Sequence, residues 1–161
     1  MHARILTGSR RGFTLLELVL VLAIGAIMMS IVVASFSRYT QERSAQQAAY
    51  LLSRDLRLAR ARAIGSRQPV SLVVDADARS YLIRDRRGTV IARRTFAAGG
   101  DLMISSITLG LDGDSVVFSA QGVALDMPGA VGGVAEAVVG SPTKDYVVRF
   151  NATGSSRIVE R

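Results

Sequence analysis

The chain of 161 residues contains no cysteine and a single histidine, His2. The first absence excludes a disulfide framework and a thiolate metal site. The second removes a histidine-based triad or zinc site from the folded part, because His2 lies in the short basic segment that opens the chain. Charge is also missing from one long stretch: no ionisable side chain occurs between Leu18 and Ser37. From Phe13 to Ser37 only Thr14, Glu17, Ser30, Ser35 and Ser37 are polar. At about 1.5 Å per residue, a helix over these positions crosses a hydrocarbon core of roughly 30 Å with some tilt.

One carboxylate interrupts the apolar start of that stretch. Glu17 is the fifth residue counted from Phe13, and an ionised side chain in a membrane-length helix costs free energy unless it has a partner or a task. Arg4, Arg10 and Arg11 flank the segment on its N-terminal side with no acid among them, which directs the N-terminus to the cytoplasm and the remainder to the other side. An ordinary signal anchor with Glu17 near the headgroups is one alternative. A removable secretory signal cut after Val32-Val33-Ala34 is another, although the run exceeds the usual h-region of about 7–15 residues.

The net charge of +7 is unevenly placed. Thirteen arginines oppose five acids between Arg38 and Arg94, whereas seven acids oppose Lys144, Arg149, Arg157 and Arg161 from Thr95 onward. Such asymmetry fits an anionic partner, anionic headgroups or charge-complementary packing of subunits.

Beyond Arg38 a helical period appears without a glycine or proline break. Ala45, Ala49, Leu52, Leu56, Ala59 and Ala63 fall on one face by steps of four and three. Arg43, Arg54, Arg57, Arg60 and Arg62 fall on the others, either solvated, against acidic neighbours, or on nucleic acid or acidic lipid. One helix from about Phe13 to Ile64, roughly 78 Å long and ending at Gly65, accounts for both halves.

From Pro69 the pattern changes to short β-type runs. Val70–Asp75, Ser80–Asp85 and Thr89–Thr95 predict a three-stranded meander. Further runs lie at Leu102–Leu109, Ser115–Ser119, Ala135–Val139, Tyr146–Phe150 and Arg157–Glu160, with Pro128–Pro142 as a long loop holding at most one strand. The expectation is an α+β fold: a long N-terminal helix, half transmembrane and half amphipathic, packed on a C-terminal antiparallel β-sheet head. Asp112, Asp114 and Asp126 fit a turn better than acid–base chemistry or a calcium loop. No nucleophile–base pair is present, so no enzyme activity, cofactor or metal is expected.

Gly12-Phe13-Thr14-Leu15-Leu16-Glu17, followed by about twenty apolar residues, resembles the class III signal of type IV pilins and type II secretion pseudopilins. Val116-Val117-Phe118-Ser119-Ala120-Gln121-Gly122 and Val147-Val148-Arg149-Phe150-Asn151-Ala152-Thr153-Gly154-Ser155-Ser156-Arg157-Ile158 resemble the head of the GspH/FimT group of minor pseudopilins and minor pilins. The resemblance implies cleavage after Gly12 by prepilin peptidase and methylation of the new amino group on Phe13. Glycine suits the cleavage point because a backbone without Cβ lets the protease approach closely.

It also implies that Glu17 meets the Phe13 amine of a neighbouring subunit, so that two charges costly alone in lipid become tolerable together. The division expected is a leader at 1–12, a transmembrane half at 13–37, an amphipathic half at 38–65 and a β-rich periplasmic head at 66–161, with a single pass through the inner membrane. Its partners would be prepilin peptidase, other pilin or pseudopilin subunits and the inner-membrane assembly platform. Some FimT-like members bind DNA through a basic C-terminal segment. Here Arg157 and Arg161 occupy that place, with Ser155, Ser156 and Glu160 around them, which makes a DNA-binding minor pilin the alternative.

Overall fold

The computed structural model describes residues 13–96, 102–125, 127 and 130–161. The chain divides into two units, Met1–Ser37 and Arg38–Arg161. Gly12 and Asp126 lie outside the described residues.

Helix α1 spans Leu15–Ser66 and supplies helical residues to both units. In the first unit Thr14 is its N-cap: the Thr14 hydroxyl accepts the N–H of Glu17 at 3.1 Å, satisfying one of the donors a helix start leaves open. The span Leu15–Val33 has mean hydropathy 2.7 and none of it is buried. Such a surface is stable only in lipid or against other apolar chains.

In the second unit Ala45, Ala48, Ala49, Leu52, Leu56, Ala59 and Ala63 are all fully buried, which is the face predicted from their spacing plus Ala48. Alanine at most of these positions lets sheets approach the helix closely. The two leucines supply bulk, and each stabilises the fold by about 1.5–3 kcal/mol through burial. The helix does not stop at Gly65 as expected. It continues to Ser66, and Arg67 takes the left-handed conformation (φ 51°) with its N–H on the carbonyl of Ile64 at 3.3 Å. Pro69 follows closely and cannot extend a helix.

Nine strands follow among the described residues: β1 Val70–Asp75, β2 Ser80–Asp85, β3 Val90–Thr95, β4 Ser106–Leu109, β5 Ser115–Phe118, β6 Ala124–Leu125, β7 Val134–Gly140, β8 Asp145–Asn151 and β9 Ser156–Glu160. They form two antiparallel sheets, ordered β3-β2-β1-β5-β6 and β4-β7-β8-β9. The meander β1–β3 falls where the sequence pattern put it. Strand β6 was not anticipated, because two residues are too few to show alternation.

Alternation along each strand then builds the core. Leu72, Ile83, Val116 and Phe118 from the first sheet, and Ile107, Val139, Val148 and Phe150 from the second, join the helix face in one buried cluster.

Register fixes the ends of this unit. Val70 opposes Asp85 on β2 and Phe118 on β5, so the β2–β3 turn and the β5–β6 turn share the end where α1 terminates. Asp75, the turn after it and Asp114, whose carbonyl accepts the Val74 N–H, lie at the other end of β1.

Candidate functional site

Phe13 and Glu17 stand at the start of α1, both exposed, with Phe13 two residues ahead of the first helical position. Glu17 is in the first turn, where the helix dipole favours a negative charge. Its N–H is committed to Thr14, while its carboxylate has no hydrogen-bond partner among the described residues. A carboxylate in that position is free to receive a cation from another chain.

The second unit contains a buried charge that the sequence pattern did not single out. Asp55 is fully buried on the helix face between Leu52 and Ala59. Its Oδ2 accepts the Tyr81 hydroxyl at 3.0 Å and Arg94 Nε at 3.0 Å. Its Oδ1 has no hydrogen-bond partner among the described residues, with Arg54 Nε 3.6 Å away on the solvent side. Burial pushes the Tyr81 phenol well above its usual range, and the Asp55 charge beside it adds to the effect. Arg94 is held further toward its charged form, first by its hydrogen bond to Asp55. The carboxylate therefore ties α1 to β2 and β3. An acid three residues after Leu52 and four before Ala59, on the apolar face, was the available signal.

The two family-like head segments both close on one arginine. Gly122 (φ +74°), at the end of Phe118-Ser119-Ala120-Gln121-Gly122, offers its carbonyl to Arg60 Nε at 3.0 Å. A Cβ there would lie 2.5 Å from Ile64 Cδ1. Gly154 (φ +73°), in the β8–β9 turn, leaves room for Arg60 Cδ, which a Cβ would meet at 2.8 Å. Arg60 is thus half-buried between two turns, and not on a solvated face as its helical position suggested. We expect Gly122→Ala to lower the stability of this unit by about 1–2 kcal/mol, mainly through the left-handed backbone it imposes on an L-residue. Urea unfolding of the variant measures it.

The candidate DNA contacts are separated. Arg157 is the second residue of β9, beside Ser156, which bonds Ser53 and Arg57 on α1. Arg161 exchanges backbone hydrogen bonds with Asp145 at the opposite end. Asp112 and Asp114 belong to a tight turn, in which Gly113 and Asp114 both have positive φ and the Asp114 N–H meets the Leu111 carbonyl at 3.2 Å. The described residues contain no cluster of three or more metal-binding side chains.

An exposed apolar helix headed by a processing-type motif, followed by a head in which a helix packs on antiparallel sheets, defines a pilin-like subunit. Residues 8–33 match the prokaryotic N-terminal methylation motif, and residues 48–155 match the family described as Type II transport protein GspH. The chain belongs to that family, a group of minor pseudopilins and minor pilins. The match reaches well upstream of the head segments whose resemblance was visible in the sequence. Among solved structures, the chain is similar to the type IV minor pilin FimU of Pseudomonas aeruginosa, with 15% identity, TM-score 0.54, and coverage of 75% of this chain and 92% of that one. It is also similar to the minor pseudopilin EpsH from the Type 2 Secretion System of Vibrio cholerae, with 14% identity, TM-score 0.49, and coverage of 72% and 96%. No curated protein matches it.

Proposed function

We propose that this chain is a minor pseudopilin, a structural and non-catalytic subunit of a type II secretion pseudopilus or a type IV pilus. It is made with a leader at 1–12 and held by residues 13–37 in the inner membrane, with its N-terminus cytoplasmic and its head periplasmic. Prepilin peptidase cuts between Gly12 and Phe13 and methylates the Phe13 amine. The assembly platform then passes the subunit into a filament with other pilin-like chains. Apolar packing from Phe13 to Phe36 holds neighbouring stems together, and Glu17 of one subunit sets the register by meeting the Phe13 amine of another.

The observation that carries this reading is the uncommitted Glu17 carboxylate in the first turn of an uncovered apolar helix that bears the methylation motif. Mass spectrometry of the chain purified from cells that possess the peptidase tests it. The expected N-terminus is N-methylated Phe13. Retention of Met1 to Gly12, or a start at Ser35, refutes the processing.

A further inference from the structure

The outer face of the five-stranded sheet carries more apolar surface than water alone explains. An antiparallel sheet with one solvated face alternates apolar side chains inward with polar ones outward. Here Val73 pairs with Leu82, and Val117 with Leu125, on the face turned away from the core, while Leu72, Ile83, Val116 and Phe118 beside them are buried. Leu125 is exposed and the other three outward residues are half-buried. On this face lies a groove of about 500 Å³, floored by Ser71, Val73, Ser115 and Val117.

One wall of the groove is cationic. Arg84, near the end of β2, and Arg86 and Arg87, in the turn to β3, line it; all three are exposed and none is in an ion pair among the described residues. Arg84 Nε donates to Ser71 Oγ at 3.4 Å, which lays the guanidinium over the floor. The acid in the same lining, Asp85, is committed to its own hairpin, where Oδ1 accepts the N–H of Arg87 and of Thr89 at 2.8 Å each. Backbone donors, Thr89 first, hold Asp85 below the usual carboxylate range.

We propose that this groove receives a carboxylate-bearing segment of a different pilin-like subunit, with apolar side chains of that segment on Val73 and Val117 and its Asp or Glu side chains on Arg84, Arg86 and Arg87. The inference rests on the reading of the chain as a minor subunit among other pilin-like chains, and adds the surface and the chemistry of the neighbour. A subunit outnumbered by other chains meets their surfaces rather than its own. Charge complementarity selects an acidic segment, since the planar fork of arginine pairs with a carboxylate through two parallel hydrogen bonds. The apolar floor selects protein over nucleic acid: valine offers nothing to a sugar–phosphate backbone, and among the described residues no aromatic side chain lines the groove for a base to stack on.

The test uses the full-length chain in its own cells, with a photo-cross-linking phenylalanine analogue in place of Thr89, which is exposed in the same turn as Arg86 and Arg87. Illumination is expected to give an adduct with a chain of different sequence that bears an N-terminal methylation motif, and mass spectrometry should map the adduct to within a few residues of an Asp or Glu. The adduct should fall by about tenfold or more when the chain also carries Arg84→Glu and Arg86→Glu, and return when the mapped acid is replaced by arginine. Failure of that exchange to restore it, or an adduct indifferent to the first charge reversal, overturns the proposal. So does an adduct formed only with nucleic acid, with a second copy of this chain, or with a chain lacking the motif. Incorporation into sheared filaments is scored in the same cells. A chain that is incorporated but gives no adduct refutes the docking alone, whereas a chain absent from filaments refutes the filament reading and the docking with it.

Discussion

Glu17→Ala is expected to give a chain that is still cut after Gly12 and still resides in the membrane, but is nearly absent from filaments. On the proposed pairing, the carboxylate and the Phe13 amine of a neighbour relieve each other's cost in lipid. A relief of about 2–3 kcal/mol corresponds to a loss of incorporation on the order of 30–150-fold. Alanine also removes the reason for an incoming subunit to stop at one axial position, because apolar stems slide past each other with little energetic distinction. Glu17→Asp keeps the charge on a shorter arm and should retain part of the incorporation. Quantitative immunoblotting of sheared filaments against membranes, with the N-terminus checked by mass spectrometry, separates assembly from processing. Normal incorporation of Glu17→Ala would remove the register argument altogether.

The second large effect is expected inside the head. Arg94→Ala leaves Asp55 buried with only Tyr81 and the more distant Arg54 to compensate it. Breaking a buried pair in this way costs about 3–5 kcal/mol, and the lower end applies because Arg94 is itself 34% exposed. Asp55→Leu should cost less. It removes the buried charge and fills the space, leaving the Tyr81 hydroxyl without an acceptor at about 1–3 kcal/mol.

Combining Asp55→Leu with Arg94→Ala should therefore be milder than Arg94→Ala alone, a non-additivity that urea unfolding of the three variants detects. Two equal and additive single effects would show that the pair is not coupled. The same cluster predicts a pH dependence. Tyr81 has a raised pKa in the folded state, so the unfolded chain releases this proton first, at about pH 10. The stability from protonated Tyr81 is complete below that pH and is lost as pH rises toward the folded value. Tyr81→Phe should flatten stability above about pH 10.

Much of this molecule is written locally. The apolar stretch with Glu17 at its head needs only composition and length to be read as a membrane-length segment with an exceptional charge. The buried stripe from Ala45 to Ala63 follows from spacing along one helix, and β1 to β3 follow from alternation and two short turns. In each case the partners in the pattern are within a few residues of one another.

Where the calling interaction is distant in sequence, the residues alone were silent. The spacing of Asp55 from Leu52 and Ala59 puts it on the apolar face, but its partners are hidden until β2 and β3 bring Tyr81 and Arg94 to it across 26 and 39 positions. Arg60 reads as solvated until two glycine turns from different sheets close around it. The strands themselves do not reveal that they separate into two sheets, because strand order is decided by which hydrogen-bonding edges meet.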